Sequence, residues 1–294
     1  MNIEVEPGHY VLAVSGGVDS MVLLNLLAEM PGVKLTLAHF DHGIREDSVE
    51  DRRLVQAAAQ FYGLPVVYAE GKLGKSASEA AARQARYDFL RRVRQASGAR
   101  GIITAHHQDD VLETAILNML RGTGRRGLSS LHNRSDIVRP LLRTPKADIL
   151  SYARERDLIW HEDSTNTDLK YARNYVRHRV LPRFDEQART RLMQLIEESH
   201  AINRELDEAL IHQLHQQSRA HHLDKTYFAL LPHNVARELL ATWLREHGVR
   251  QFDRPTLERL VVQAKTGTPG KRFDVLGGHR LHVTPKHLVL KKLA

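Results

Sequence analysis

The chain has 294 residues, enough for about two domains, and its 43 Lys and Arg against 35 Asp and Glu leave a formal charge of +8. An isoelectric point near 9.7 points toward polyanionic partners. With no cysteine, the chain has no disulfide, thiolate nucleophile, or Cys-ligated zinc or iron–sulfur centre; with acidic Glu4 and Glu6 and no long apolar run, it shows no signal or membrane segment and is expected in the cytoplasm.

Tyr10–Val14 is a short apolar run that predicts a strand, and Met21–Met30 has helical spacing. Between them, Ser15-Gly16-Gly17-Val18-Asp19-Ser20 forms a strand-to-helix turn of the kind that binds phosphate. Glycines let backbone amides approach, serines add hydroxyl donors, and the helix N-terminus brings its positive dipole end. Asp19 is the odd member, because a carboxylate at the mouth of an anion site repels bare phosphate. It requires a metal ion or a donor to orient. The Walker-type pattern is absent here. Further strands are predicted at Lys34–Phe40, Pro65–Ala69 and Gly101–Ala105, alternating with helices at Ser48–Tyr62 and from Ser76, with a Glu79 capping box, to before Gly98. That alternation predicts an α/β fold: a Rossmann-like parallel sheet with helices on both faces, whose ligands bind at the strands' carboxyl ends.

Thr104-Ala105-His106-His107-Gln108-Asp109-Asp110 stands at the end of the fourth strand, and on the following helix His106, Asp110 and Glu113 share a face. One His and two carboxylates suit Mg²⁺-assisted phosphate chemistry or recognition of a cation. Arg83 and Arg86 lie on adjacent turns of one helix face, where they would serve as fixed charges for a triphosphate. Gly122-x-Gly124-x-x-Gly127 matches the dinucleotide fingerprint as a string but follows a helix where a strand is needed, and is rejected. Arg121, Arg125, Arg126, Arg134, Arg139 and Arg143 crowd one stretch, and Arg173, Arg177, Arg179 and Arg183 another. Thr144-Pro145 predicts a capped helix to about Asp157, with Pro145 at its first position. The polar segment from Trp160 to Val180, containing Glu162–Asp168 and Arg173-Asn174-Tyr175-Val176-Arg177, reads as a loop returning to the site. A long helix from Glu186 to Gln217 predicts a connector to a small α+β domain, with helices at Asn234–His247 and Pro255–Ala264 and strands at Arg272–Val275, His279–Val283 and His287–Leu290.

The Ser-Gly-Gly-x-Asp-Ser turn resembles the pyrophosphate loop (PP-loop) of N-type ATP pyrophosphatases. Taken with His39–Arg45, Ser78–Tyr87, Thr104–Thr114, Arg121–Ser129, Arg139–Leu142 and the 162–177 segment, roughly residues 10–185 resemble the tRNA(Ile)-lysidine synthetases of that group. The resemblance implies a catalytic domain over 1–185, a connector over 186–217, and a C-terminal domain over 218–294 that touches tRNA. It further implies adenylation of the wobble cytidine of tRNA(Ile) with a CAU anticodon by ATP, then displacement of AMP by L-lysine. On this reading Ser15, Gly16, Gly17, Val18, Asp19, Ser20, Arg83 and Arg86 bind ATP, with Asp19 positioning Mg²⁺. Asp19, Arg86, His106 and Asp110 carry catalysis, and Glu113 with Asp110 meets the lysine ammonium. Arg121, Arg125, Arg126, Arg173 and Arg177 contact tRNA or the adenylate. Rival readings are a tRNA thiolase of the same group, disfavoured by the lack of cysteine, another amidating enzyme, or a non-catalytic RNA-binding relative. The oligomeric state, a homodimer included, stays open.

Overall fold

The computed structural model describes residues 1–41, 43, 48–71, 79–133, 135–161, 169–219, 221–249 and 252–293. Two compact units emerge, Met1–Ser199 and His200–Ala294. In the first, strands β1 (Gly8–Ala13), β2 (Val33–Asp41), β3 (Val66–Glu70), β4 (Gly101–Ile103) and β5 (Ile137–Val138) form one sheet in the order β3-β2-β1-β4-β5. All its pairings are parallel. Helices α1 (Val18–Ala28), α2 (Ser48–Phe61), α3 (Glu79–Ser97), α4 (Gln108–Leu120), α5 (Arg125–Leu128), α6 (Lys146–Glu155) and α7 (Ala172–Tyr175) are interspersed along the chain. A π-helical turn at Val176–Val180, a 3₁₀ turn at Leu181–Arg183 and the long α8 (Glu186–Gln217) follow. The Rossmann-like parallel sheet read from the sequence is the observed fold.

The apolar runs of β1 and β2 are buried on both faces, as a central parallel strand requires. Leu12, Leu23, Leu37 and Ile103 form one cluster with Ile149, Tyr152 and Ala153 of α6; Val11 and Ile102 form another with Tyr87, Phe89 and Leu90 of α3. A buried polar chain ties α1 to two neighbours: the Tyr152 hydroxyl donates to Asn25 Oδ1 (2.8 Å), and Asn25 Nδ2 donates to the Tyr62 hydroxyl (2.9 Å). Strand order reverses between β1 and β4, so the crevice beyond their carboxyl ends is the switch point at which such sheets bind ligands.

Several boundaries differ from the sequence reading for definable reasons. Helix α1 begins at Val18 because extended Gly17 is its N-cap and its carbonyl accepts from Ser20 and Met21 (both 3.1 Å), so Val18, Asp19 and Ser20 are its first turn. At α6 the N-cap is Pro145, one position later than predicted; the Thr144 carbonyl accepts from Gln108 N (3.0 Å), and Asp109 Oδ1 accepts from Lys146 N (3.3 Å). The Arg-Asn part of the polar segment is helical rather than a loop. Val176 and Leu181 pack on Val111, Leu112 and Ala115 of α4, and that burial holds the turns against it. The predicted cap at Ser76 and the segment Glu162–Asp168 lie outside the described residues.

In the second unit β6 (Ser218–Arg219), β7 (His222–Asp224), β8 (Arg272–Val275), β9 (His279–Val283) and β10 (His287–Lys292) form an antiparallel sheet in the order β6-β7-β10-β9-β8. Helices α9 (Lys225–Leu230), α10 (His233–Glu246) and α11 (Arg254–Thr266) share its core, in which Trp243 and Phe228 are the largest fully buried side chains. Among the described residues no helix is long and apolar enough to cross a membrane.

Replacing Tyr152 by Phe strands the buried Asn25 oxygen and is expected to destabilise the first unit by about 1–3 kcal/mol in denaturant unfolding. An unchanged midpoint would mean that the polar chain does not tie these helices together.

Candidate active site

The loop after β1 is shaped from within. Gly16 has φ +91°, a conformation that favours glycine. Gly17 is ordinary extended backbone, so its missing side chain serves to leave the mouth of the loop open. Ser20 is buried and its hydroxyl donates to Gly17 O (2.9 Å). With that one proton committed, Ser20 Oγ accepts from Ser15 N and from the Ser15 hydroxyl (both 3.2 Å). The serines therefore brace the loop instead of pointing outward as predicted, and phosphate would be met by the first-turn amides of α1, which no side chain caps. From outside, His161 N donates to Gly16 O (3.0 Å) while its ring Nδ1 bonds Asp51 Oδ1 (3.0 Å). Asp51, in the first turn of α2, thus buttresses the loop from outside.

Three helix N-termini meet at Asp19. It is the second residue of α1; Lys146, the first residue of α6, places Nζ 2.5 Å from Asp19 Oδ1. His107, the N-cap of α4, places Nε2 3.7 Å from Asp19 Oδ2 and 3.6 Å from Asp110 Oδ2. Asp110 Oδ2 also accepts from the His107 amide (3.1 Å). A continuous line of alternating charge then runs down α4. Arg177 donates to Asp110 Oδ1 (3.1 Å) and grips Glu113 with two bonds, Nε to Oε1 (2.5 Å) and a terminal nitrogen to Oε2 (2.9 Å). Arg173 donates to Thr114 Oγ1 (3.1 Å) and stands 3.7 Å from Glu113 Oε2.

Electrostatics assign these groups their charge states. Burial pulls the His106 ring down to about 3 against the opposing pull of Asp110, and Arg86, Arg139 and Arg83 add to the lowering, so the ring is neutral near pH 7. Its Nδ1 bonds Thr104 Oγ1 (2.8 Å). Burial would raise Asp110, but His107, His106, the His107 amide and Arg177 bring it down to about 2. Burial pushes Glu113 up against the pull of Arg177; burial also pulls Arg177 down, but Glu113, Asp110 and Asp19 prevail and hold it more firmly protonated. Across the crevice, burial lowers Arg86, whose Nε is buried without a hydrogen-bond partner among the described residues. Such an orphaned donor suits a ligand oxygen.

The structure thus brings together Ser15–Ser20, Asp19, His106, Asp110, Glu113 and Arg177, with Arg83 and Arg86 near enough to His106 to shift it. Glu113 differs from expectation: fully buried, it gives both oxygens to Arg177, because a carboxylate on the inward face of α4 needs a counter-charge. Arg121, Arg125 and Arg126 belong to the far end of α4 and to α5, about 20 Å along the helix axis from its N-terminus. Sequence reasoning passed over Lys146, and it named His107, Asp109 and the buried Arg139 only as members of motifs, without a role of their own. Lys146 carried a signal, since a cation on the first helical residue opposes the macrodipole and calls for a partner. For Mg²⁺, the donors fit an ion carried in by phosphates and held by Asp19 alone: among the described residues no three His, Cys, Asp or Glu gather to hold a metal.

A PP-loop domain model matches residues 2–184. The chain belongs to the PP-loop family. The matched residues include the turn after β1 and the β1/β4 crevice. Curated relatives named tRNA(Ile)-lysidine synthase include one from Thermotoga sp. (strain RQ2), 41% identical over 192 residues, covering 62% of this chain and 46% of that protein. Another, from Francisella tularensis subsp. holarctica (strain OSU18), is 27% identical and covers 97% of this chain and 74% of that protein. The chain spans about half the length of the Thermotoga relative. Among solved structures it is similar to the U34-tRNA thiolase NcsA from Methanococcus maripaludis with its [4Fe-4S] cluster, with a TM-score of 0.56 and 17% identity, over 67% of this chain and 73% of that one. That likeness is one of fold.

Replacing Arg177 by Met leaves the Glu113 carboxylate buried with only the more distant Arg173, and should destabilise the protein by about 3–5 kcal/mol. Adding Glu113→Gln should recover more than half of the loss in denaturant unfolding. A single variant as stable as wild type would show that the pair is not buried as described.

Proposed function

We propose that the chain ligates L-lysine to C2 of the wobble cytidine of tRNA(Ile) bearing a CAU anticodon, using ATP and Mg²⁺ and giving lysidine, AMP and diphosphate. The observation that carries the reading is the match to lysidine synthases across the whole site-bearing unit, in a chain with no cysteine to supply sulfur. In the first step the cytidine C2 oxygen attacks the α-phosphorus, the bond to the β-phosphate oxygen breaks, and pyrophosphate leaves. The loop at Ser15–Ser20 holds the β,γ-phosphates, while Arg86, with Arg83, neutralises charge at the α-phosphate. Asp19 would position Mg²⁺, which would supply further neutralisation of phosphate charge. In the second step the lysine side-chain amine attacks C2 in its neutral form, the C2–O bond breaks with its electron pair leaving on AMP, and the amine's surplus proton goes to the departing AMP phosphate.

His106 and Asp110 orient and stabilise in this scheme. Both sit far below neutral pH as bases, and a group that takes a proton efficiently lies near the working pH. The lysine ammonium is assigned to Asp110 and Glu113, where it must exchange with Arg177, a cation already matched to both carboxylates. Arg173 and Arg177 then become the groups free to meet the adenylate, and Arg121, Arg125 and Arg126 are assigned to tRNA.

Residues 1–185 are assigned to catalysis, 186–217 to the connector and 218–294 to tRNA contact. Strand register supports the last assignment: Arg272, Arg280, His282 and Lys291 share one face of the antiparallel sheet with Asp274, to which Arg280 donates (2.6 Å), leaving an excess of cations. There burial and the three neighbouring cations lower His282. A cationic sheet face suits a phosphate backbone.

Incubating the protein with ATP, Mg²⁺, lysine and a tRNA(Ile) transcript, then analysing nucleosides by mass, should yield lysidine. Arg86→Ala and Asp110→Asn should abolish it with circular dichroism unchanged. Near-normal turnover by the purified variants would overturn these roles, and failure of the wild type to form lysidine would overturn the substrate.

A further inference from the structure

We propose that Lys146 is a positioning residue for the nucleotide's polyphosphate, cancelling the charge of Asp19 so that the loop takes up a nucleoside triphosphate even without a divalent cation. The inference rests on the nucleotide reading above and adds to it a residue outside the phosphate turn. Asp19 sets a carboxylate at the N-terminus of α1, among the amides that would receive phosphate. Unneutralised, it opposes every anion that approaches. Lys146 answers that charge from a position where a lysine is otherwise disfavoured, the first residue of α6, against that helix's own positive end.

The geometry favours a functional pairing over a structural one. Side-chain exposures of 33% for Lys146 and 30% for Asp19 put the pair at the mouth of the site, where an ion pair adds little to stability. The backbone behind it is nonetheless firmly placed. Pro145 sets the entry to α6, Asp109 of α4 accepts the Lys146 amide at 3.3 Å, and Tyr152 one and a half turns on is bonded to Asn25 of α1. Two helices are fixed together so that one ammonium, on a flexible stem, meets one carboxylate. His107 Nε2 stands 3.7 Å from the other Asp19 oxygen. A lysine so held can point its three donors at Asp19 and at phosphate oxygens together.

Calorimetric titration with ATP, in the absence of tRNA and lysine, tests this in EDTA and in excess Mg²⁺. Wild type should bind in both buffers. Lys146→Gln should lose about tenfold or more in affinity in EDTA, the scale of one charge-assisted hydrogen bond, and less than about threefold with Mg²⁺, which then does the neutralising. Lys146→Arg should stay close to wild type, and Asp19→Asn combined with Lys146→Gln should regain binding in EDTA. A structural role would weaken both buffers equally; that result, or no loss in either, overturns the proposal. Wild type binding only with Mg²⁺ overturns it and leaves the nucleotide reading standing, whereas no binding in either buffer overturns both.

Discussion

Everything in the site depends on one carboxylate placed where an anion is to bind. Asp19 occupies the first turn of α1, and the structure gathers the N-termini of α4 and α6 around it, contributing His107 and Lys146. Each helix end is electrostatically suited to negative charge, and three together make a pocket that would hold phosphate strongly and a stray carboxylate equally well. The chain fills it with its own acid and then compensates that acid. The sheet makes this possible, because β1 and β4 are adjacent and diverge in connectivity, so that the turns leaving them open onto one crevice.

Helix α4 is the wall that joins the two sides of the site. Its N-terminus faces the phosphate loop, and one turn further on Asp110 and Glu113 face a guanidinium delivered by the turns before α8. Burying Glu113 completely is tolerable only with that partner, which ties Arg173 and Arg177 to the site as firmly as apolar packing ties Val176 and Leu181 to α4. Asp109 performs the same service toward the outside, accepting from the Lys146 amide and from Arg189 of α8 (3.1 Å). Three successive acids of α4 therefore connect the phosphate loop, α6 and the start of α8. A neutral imidazole at His106 among arginines adds polarity without adding charge.

Much of this was legible in the sequence because local pattern and tertiary role coincide. The strand-turn-helix at Ser15–Ser20, the alternation of β1 to β4, the long α8 and the three closing strands follow from periodicity and turn residues. What stayed hidden depends on partners distant in sequence. Nothing near Lys146 announces Asp19, and nothing near Glu113 announces Arg177; the same spacing that put Glu113 on the site face turned it fully inward. The two-residue β5 and the π turn lack a periodic signal, being set by pairing to β4 and packing on α4. The loop serines were misjudged in orientation alone, since a hydroxyl reads the same whether it braces a turn or faces a ligand.

The central claim is that the β1/β4 crevice holds a triphosphate with its α-phosphorus presented for attack. Crystallography of the protein with an ATP analogue whose α,β-bridging oxygen is replaced by a methylene group tests it most directly. The account predicts the β,γ-phosphates against the amides of the Ser15–Ser20 turn, with the α-phosphate beside Arg86 and His106. An analogue seated elsewhere, or with its α-phosphate turned away from Arg86 and His106, would contradict it.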